Sequence, residues 1–209
     1  MPALETARLR IRPFAPGDLD ACRALLDGDL DGGLAAPERA AWLAWTIASY
    51  AELARLLQPP YGDRAIELKE TGALIGACGL VPSLGPFGQL PSRRAPGAPP
   101  ARSGNEPEVG LYYALSPAHR RRGHASDAAR ALIGFAFDAL QLRRVVATTT
   151  YDNHASISVM ARLGMRIERN PLPEPPWFQV VGTIERPPPE GQERRGERRG
   201  SQGGGEAGR

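Results

Sequence analysis

Tyr112-Tyr113-Ala114-Leu115-Ser116-Pro117-Ala118-His119-Arg120-Arg121-Arg122-Gly123-His124-Ala125-Ser126 is the stretch on which the fold turns. It reads as strand, turn and helix. Glu108 to Leu115 is rich in β-branched and aromatic residues, and Pro117 ends the run. Beyond Gly123, the residues Ala128, Leu132, Phe135, Ala136 and Ala139 recur at helical spacing. Between strand and helix lie Arg120, Arg121, Arg122 and Gly123.

The first amides of a helix have no partner inside the helix, carry partial positive charge and point outward. Gly123 has no side chain, so a ligand can approach the backbone there. Flanking arginines add full charge and bidentate donors. Together these features suit a phosphate or pyrophosphate. A bare arginine run is more commonly a solvated surface or a loose nucleic-acid contact. The strand before it and the amphipathic helix after it favour the anion site.

Arg120-x-x-Gly123-x-Ala125 resembles the acetyl-CoA pyrophosphate loop of the GNAT N-acetyltransferases, whose pattern is Arg/Gln-x-x-Gly-x-Gly/Ala. Glu108-Val109-Gly110-Leu111-Tyr112 resembles the family's fourth strand, and Gly123 to Leu132 its following helix. Asn153-His154-Ala155-Ser156 through Leu163-Gly164-Met165 resembles the next helix, in the version seen in the RimJ/RimL-like branch. The resemblance covers roughly Glu5 to Glu185. It implies an α/β fold: a mixed, mostly antiparallel twisted sheet, helices on both faces, and fourth and fifth strands that splay to admit the cofactor. It implies acetyl-CoA as co-substrate and an amine acceptor, either a protein N-terminus or a small molecule. A homodimer is compatible with it.

The resemblance also distributes roles. Glu108 is the candidate general base, acting directly or through water, with an edge-strand charge as the plainer reading. Amides near Tyr113, Ala114 and Leu115 would hold the pantetheine arm and the thioester oxygen. Arg120, Arg121, Arg122, Gly123, His124 and Ala125 would hold the pyrophosphate. His124 reads more simply as an exposed loop histidine. Asn153 caps a helix and would also bond the cofactor arm. Many GNAT enzymes carry a tyrosine as general acid where this chain has Met160; the resemblance to the RimL-like pattern implies a serine instead, at Ser156, to orient the thiolate or deliver a proton from water, with helix capping as its alternative. An acyl-CoA-binding module without catalysis is the second reading that the Met160 departure leaves open.

The rest of the chain is consistent with one domain, residues 1–185, and a disordered tail, 186–209, which has no large apolar residue to offset the entropy of ordering. Leu9 and Ile11 alternate with Arg8, Arg10 and Arg12 as in a half-buried strand. Asp18 is a good N-cap for a helix from Leu19 to Leu26, and Asp27 to Gly33 reads as a loop. A second helix follows Pro37, with Leu43, Ile47, Tyr50, Ala54 and Leu57 on its buried face and Trp42 or Trp45 as candidates to touch substrate. Arg64 to Glu70 and Ala73 to Val81 form a hairpin around Thr71-Gly72; Gly76 and Gly79 mark a bend or a close backbone approach. Residues 83–107, with six prolines, read as a long irregular insertion without fixed shape, or as a flap over the acceptor. Arg144 to Thr150, Met165 to Arg169 and Trp177 to Glu185 read as strands.

Composition narrows the function further. The net charge is +3, of which the six arginines and four glutamates from Arg186 onward supply +2, so the folded part has little excess charge for nucleic acid. A Gly-x-x-x-x-Gly-Lys-Ser/Thr motif is absent, which argues against a nucleotide triphosphatase. Cys22 and Cys78 have no metal or redox spacing and read as buried thiols; the three histidines form no metal pattern, so no metal is expected. No apolar run is long enough to span a membrane, and the opening residues lack a signal pattern, so cytoplasm is expected. One lysine, Lys69, stands against twenty-five arginines, in keeping with a GC-rich, bacterial coding sequence.

Overall fold

Strands covered on both faces build the sheet first. In the computed structural model, which describes residues 1–26 and 36–188, neighbours along each strand pack into opposite layers. The strands are β1 (Leu4–Glu5), β2 (Leu9–Arg12), β3 (Gly62–Leu68), β4 (Leu74–Gly85), β5 (Glu106–Leu115), β6 (Arg144–Thr149), β7 (Arg166–Arg169) and β8 (Val180–Glu185). They form one sheet in the order β1-β2-β3-β4-β5-β6-β8-β7. Every pairing is antiparallel except β5 with β6. Ile66 and Cys78 join the core under helices α3 (His124–Asp138) and α4 (His154–Arg162). Ala65 and Ala77 pack on the other face, under α1 (Leu19–Leu26) and α2 (Ala36–Arg55).

Helix α3 buries Ala128, Ala129, Leu132, Ile133, Ala136 and Phe137, a stripe at helical spacing that lies on β4 and β5. Its small residues let the helix sit close to the strands. Gly76 and Gly79 are close approaches rather than bends: a Cβ on Gly76 would lie 2.2 Å from the Ala114 carbonyl oxygen, and one on Gly79 2.4 Å from that of Gly62.

Four expectations change. Residues 83–107 are not a shapeless insertion: β4 extends to Gly85, β5 begins at Glu106, and two 3-10 turns, Phe87–Gln89 and Pro91–Arg93, lie between. Phe87 and Leu90 are buried with Val146, Phe178 and Val181, and the Phe87 and Phe178 rings meet edge to face at 5.0 Å. Sequence periodicity misses this because two apolar residues in a proline-rich segment make no pattern, while their burial nails the segment down. The last strand starts at Val180, since Trp177 belongs to a 3-10 turn, Pro176–Phe178. Helix α2 ends at Arg55, which leaves Leu57 91% exposed instead of on the buried face. His124 is buried rather than exposed. The loop expected from Asp27 to Gly33, and the tail from residue 189 onward, lie outside the described residues.

Candidate active site

The site grows from one incomplete strand pair. β5 and β6 are joined in parallel at Gly110 and Val146. Past that point the β5 residues through Leu115 have no pairing partner on the β6 side. Tyr113, Ala114 and Leu115 line the open stretch, and Arg120 Nε donates to the Leu115 carbonyl at 3.0 Å. That bond ties Arg120 to the strand through Nε.

The loop after β5 is preset for an anion. Ser116 Oγ lies 2.7 Å from His119 Nδ1, closing the first turn. Arg121 at φ 59° and Gly123 at φ 85° both occupy the left-handed region. That backbone is natural for glycine and costly for arginine. The first bond of α3 runs from the Asp127 amide to the Gly123 carbonyl at 3.0 Å, so the amides of His124, Ala125 and Ser126 precede the helical ladder. Arg121 and Arg122 are exposed and make no ion pair among the described residues.

Arg8 braces this loop, although in the sequence it is only one exposed position of an alternating strand. Its Nη1 donates to the Arg122 carbonyl at 2.9 Å, while Nε and Nη2 donate to Asp127 Oδ2. A Cβ on Gly123 would lie 3.0 Å from Arg8 Nη2. His124, 5% exposed, has an unpartnered Nδ1. Burial, then the charge of Arg8, pushes its pKa down, so it is a neutral group and no phosphate-binding cation.

Across the gap, Asn153 caps α4: its Oδ1 accepts the Ser156 amide at 3.1 Å. The Tyr113 hydroxyl donates to the Ser156 carbonyl at 3.2 Å. Burial pushes the Tyr113 phenol up to about 12. Met160 is buried against Gly182, where a Cβ would meet its sulfur at 3.0 Å.

Glu108 stands elsewhere. It lies before Gly110, at the joined end of β5 and β6 rather than beside the opening. Arg93 Nη2 donates to Oε1 at 3.0 Å and Arg144 Nε to Oε2 at 2.8 Å; Arg144 Nη2 also pairs with Oε1. The Glu108 side chain is 7% exposed. The hydrogen bond to Glu108 also raises the Arg144 pKa. Both carboxylate oxygens are therefore committed. Tyr112 packs toward α1 and α2, opposite Tyr113. Trp42 packs edge to face on Phe14, whereas Trp45 is 68% exposed. Among the described residues no group of three or more His, Cys, Asp or Glu side chains is placed to hold a metal, and no helix is long and apolar enough to cross a membrane.

The model of the acetyltransferase (GNAT) domain family matches residues 8–166. The uncharacterized N-acetyltransferase YoaA of Bacillus subtilis is 29% identical over 168 residues, covering 80% of this chain and 84% of that protein. An acetyltransferase from Agrobacterium tumefaciens superposes with a TM-score of 0.60 at 25% identity, covering 89% of this chain and 95% of that one. The ribosomal-protein-S5-alanine acetyltransferase of Vibrio fischeri has the same fold, with a TM-score of 0.59 at 15% identity over 88% of this chain and 96% of that one. With the family's loop and opened strand pair both in place, the chain belongs to the GNAT acetyltransferase family.

Proposed function

We propose that the chain is an acetyl-CoA-dependent N-acetyltransferase that passes the acetyl group directly to a primary amine in a ternary complex, in the bacterial cytoplasm. One observation carries the reading. The unpaired amides at the start of α3 stand at the end of the β5 edge that is open beyond Gly110, so one ligand can span an anion site and a strand edge. Backbone amides of His124, Ala125 and Ser126, with the Arg121 and Arg122 side chains, suit the pyrophosphate. The open edge at Tyr113, Ala114 and Leu115 suits the pantetheine amides, and Asn153 stands across the gap. Arg120 acts by holding the loop to the strand.

In the transfer, the amine nitrogen bonds to the thioester carbon, the carbon–sulfur bond breaks, the amine proton leaves to water and the thiolate takes up a proton. Tyr113, still protonated at neutral pH, is the phenol at the gap and serves as proton donor; Ser156 beside it orients the sulfur. Glu108, held by two guanidinium groups, is a positioning residue that fixes the apex of the opening. An acceptor without a dedicated carboxylate base must bring an amine that is already partly neutral. An α-amine, with a pKa of about 8, does so far better than a lysine near about 10.4. This favours protein or peptide N-termini, the reaction of the RimJ/RimL-like branch.

The test is acetyl transfer from acetyl-CoA to peptides bearing a free α-amine, against N-blocked peptides bearing lysine, read by mass spectrometry and CoA release. Acetylation confined to the α-amine supports the proposal. Acetyl-CoA binding without transfer to any amine would leave a non-catalytic acyl-CoA module.

A further inference from the structure

A second cleft, of about 250 Å³, opens between the end of α2, the start of β3 and the segment after β2. Pro13, Leu53, Ala54 and Pro60 give it apolar walls, Gln58 and Arg64 supply polar groups beside the Tyr50 ring, and Met1, whose terminal amine feels the charge of Arg64, closes one side. It shares no residue with the phosphate loop or with the Tyr113 gap.

Arg64 is 2% exposed, yet it makes no ion pair among the described residues. Its Nη1 donates to the Asp63 carbonyl at 2.9 Å, its guanidinium lies 4.1 Å from the Tyr50 ring centroid, and Nε has no partner. The Tyr50 hydroxyl, which donates to the Asp63 carbonyl at 2.6 Å and accepts the Phe14 amide at 3.1 Å, also meets the guanidinium, but a neutral phenol supplies no counter-charge. Arg12, by contrast, is neutralised by both Asp18 and Glu67. A buried guanidinium remains charged, and a charge removed from water calls for a counter-ion.

We propose that this cleft binds a small monocarboxylate with an apolar body. The carboxylate pairs with Arg64 and takes a further hydrogen bond from the Gln58 amide, while Pro13, Leu53, Ala54 and Pro60 cover the apolar part. A phosphate group fits less well, because one guanidinium among apolar walls neither matches two negative charges nor satisfies the remaining oxygens. Tyr50 bonds the Phe14 amide, and Phe14 packs on Trp42, so occupancy is coupled to an aromatic reporter.

The full chain, labelled with ¹⁵N-arginine, is titrated with sodium hexanoate while the side-chain Nε–H resonance of Arg64 is followed; Arg64→Met identifies that resonance by its loss. A saturable shift of this signal, with affinity weakened at least about tenfold in Ala54→Trp, which fills the cleft and keeps the arginine, is the expected result. The Ala54 variant decides the matter even where Arg64→Met fails to fold, the resonance then being assigned by through-bond correlation. No saturable shift, an equal response to inorganic phosphate, or unchanged affinity in Ala54→Trp would overturn the proposal.

Discussion

Arg8 of the strand-flanking segment and Asp127 of the first turn of α3, 119 positions apart in sequence, are joined by two bonds from Nε at 3.0 Å and Nη2 at 2.7 Å to the same carboxylate oxygen. The remaining arm of Arg8 holds the Arg122 carbonyl. A loop strained at Arg121 is thus fastened to the edge of the sheet.

Arg8→Ala should therefore loosen the anion site more than the fold. The pair is part exposed, so its loss should cost no more than about 1 kcal/mol of stability. Acetyl-CoA affinity should fall by about tenfold, a loss of ~1.4 kcal/mol, with kcat changed less than KM. Calorimetric titration and steady-state kinetics separate the two.

Glu108→Gln distinguishes a positioning carboxylate from a base. Losing the charge leaves Arg93 and Arg144 without their shared partner, and about 3 kcal/mol of stability should go with it. Below the variant's melting temperature the pH–rate profile should keep its shape. Loss of its acidic limb together with a rate drop of about 10² or more would instead assign Glu108 to catalysis.

Removing the Tyr113 hydroxyl tests the proton donor. Tyr113→Phe keeps the ring packed and deletes the bond to the Ser156 carbonyl. kcat should fall by about 10²-fold while KM stays near its wild-type value. Ser156→Ala should be the milder change.

Phe178→Ala removes the ring against which Phe87 and Gly85 pack. The expected cost is about 3–5 kcal/mol. Residues 86–105 should then become sensitive to limited proteolysis well below the melting temperature, which the wild type should resist.

His124 links stability to pH. Its pKa is depressed in the folded chain by burial and by Arg8, so the unfolded chain binds the proton more readily. The contribution is fully present above the unfolded value, about 6.5, and is lost as pH falls through the lower folded value. Chemical denaturation between neutral and mildly acidic pH should show this loss, and His124→Gln should flatten it.

Much of the architecture was legible without coordinates because its causes are short-range. Glycine at the start of α3, Asn153 at the cap of α4, alternation in β2 and the helical stripe from Ala128 to Ala136 each depend on a few neighbours along the chain. The hairpin of β3 and β4 and the extent of α1 follow from the same local rules. Tertiary closure decided the rest. It drew Arg93 and Arg144 around Glu108 and so occupied a carboxylate that local pattern left free. It placed Arg8 on the loop, buried His124, and packed Phe87 and Leu90 under Phe178. Those partners lie tens of residues apart, and nothing in a strand's alternation or a helix's period specifies which distant charge or ring will meet it. Sequence alone determined where this chain would bend, cap and expose backbone to an anion; only the folded sheet determined which partners each side chain meets, because the guanidinium groups that hold both oxygens of Glu108 come from a separate loop and a separate strand.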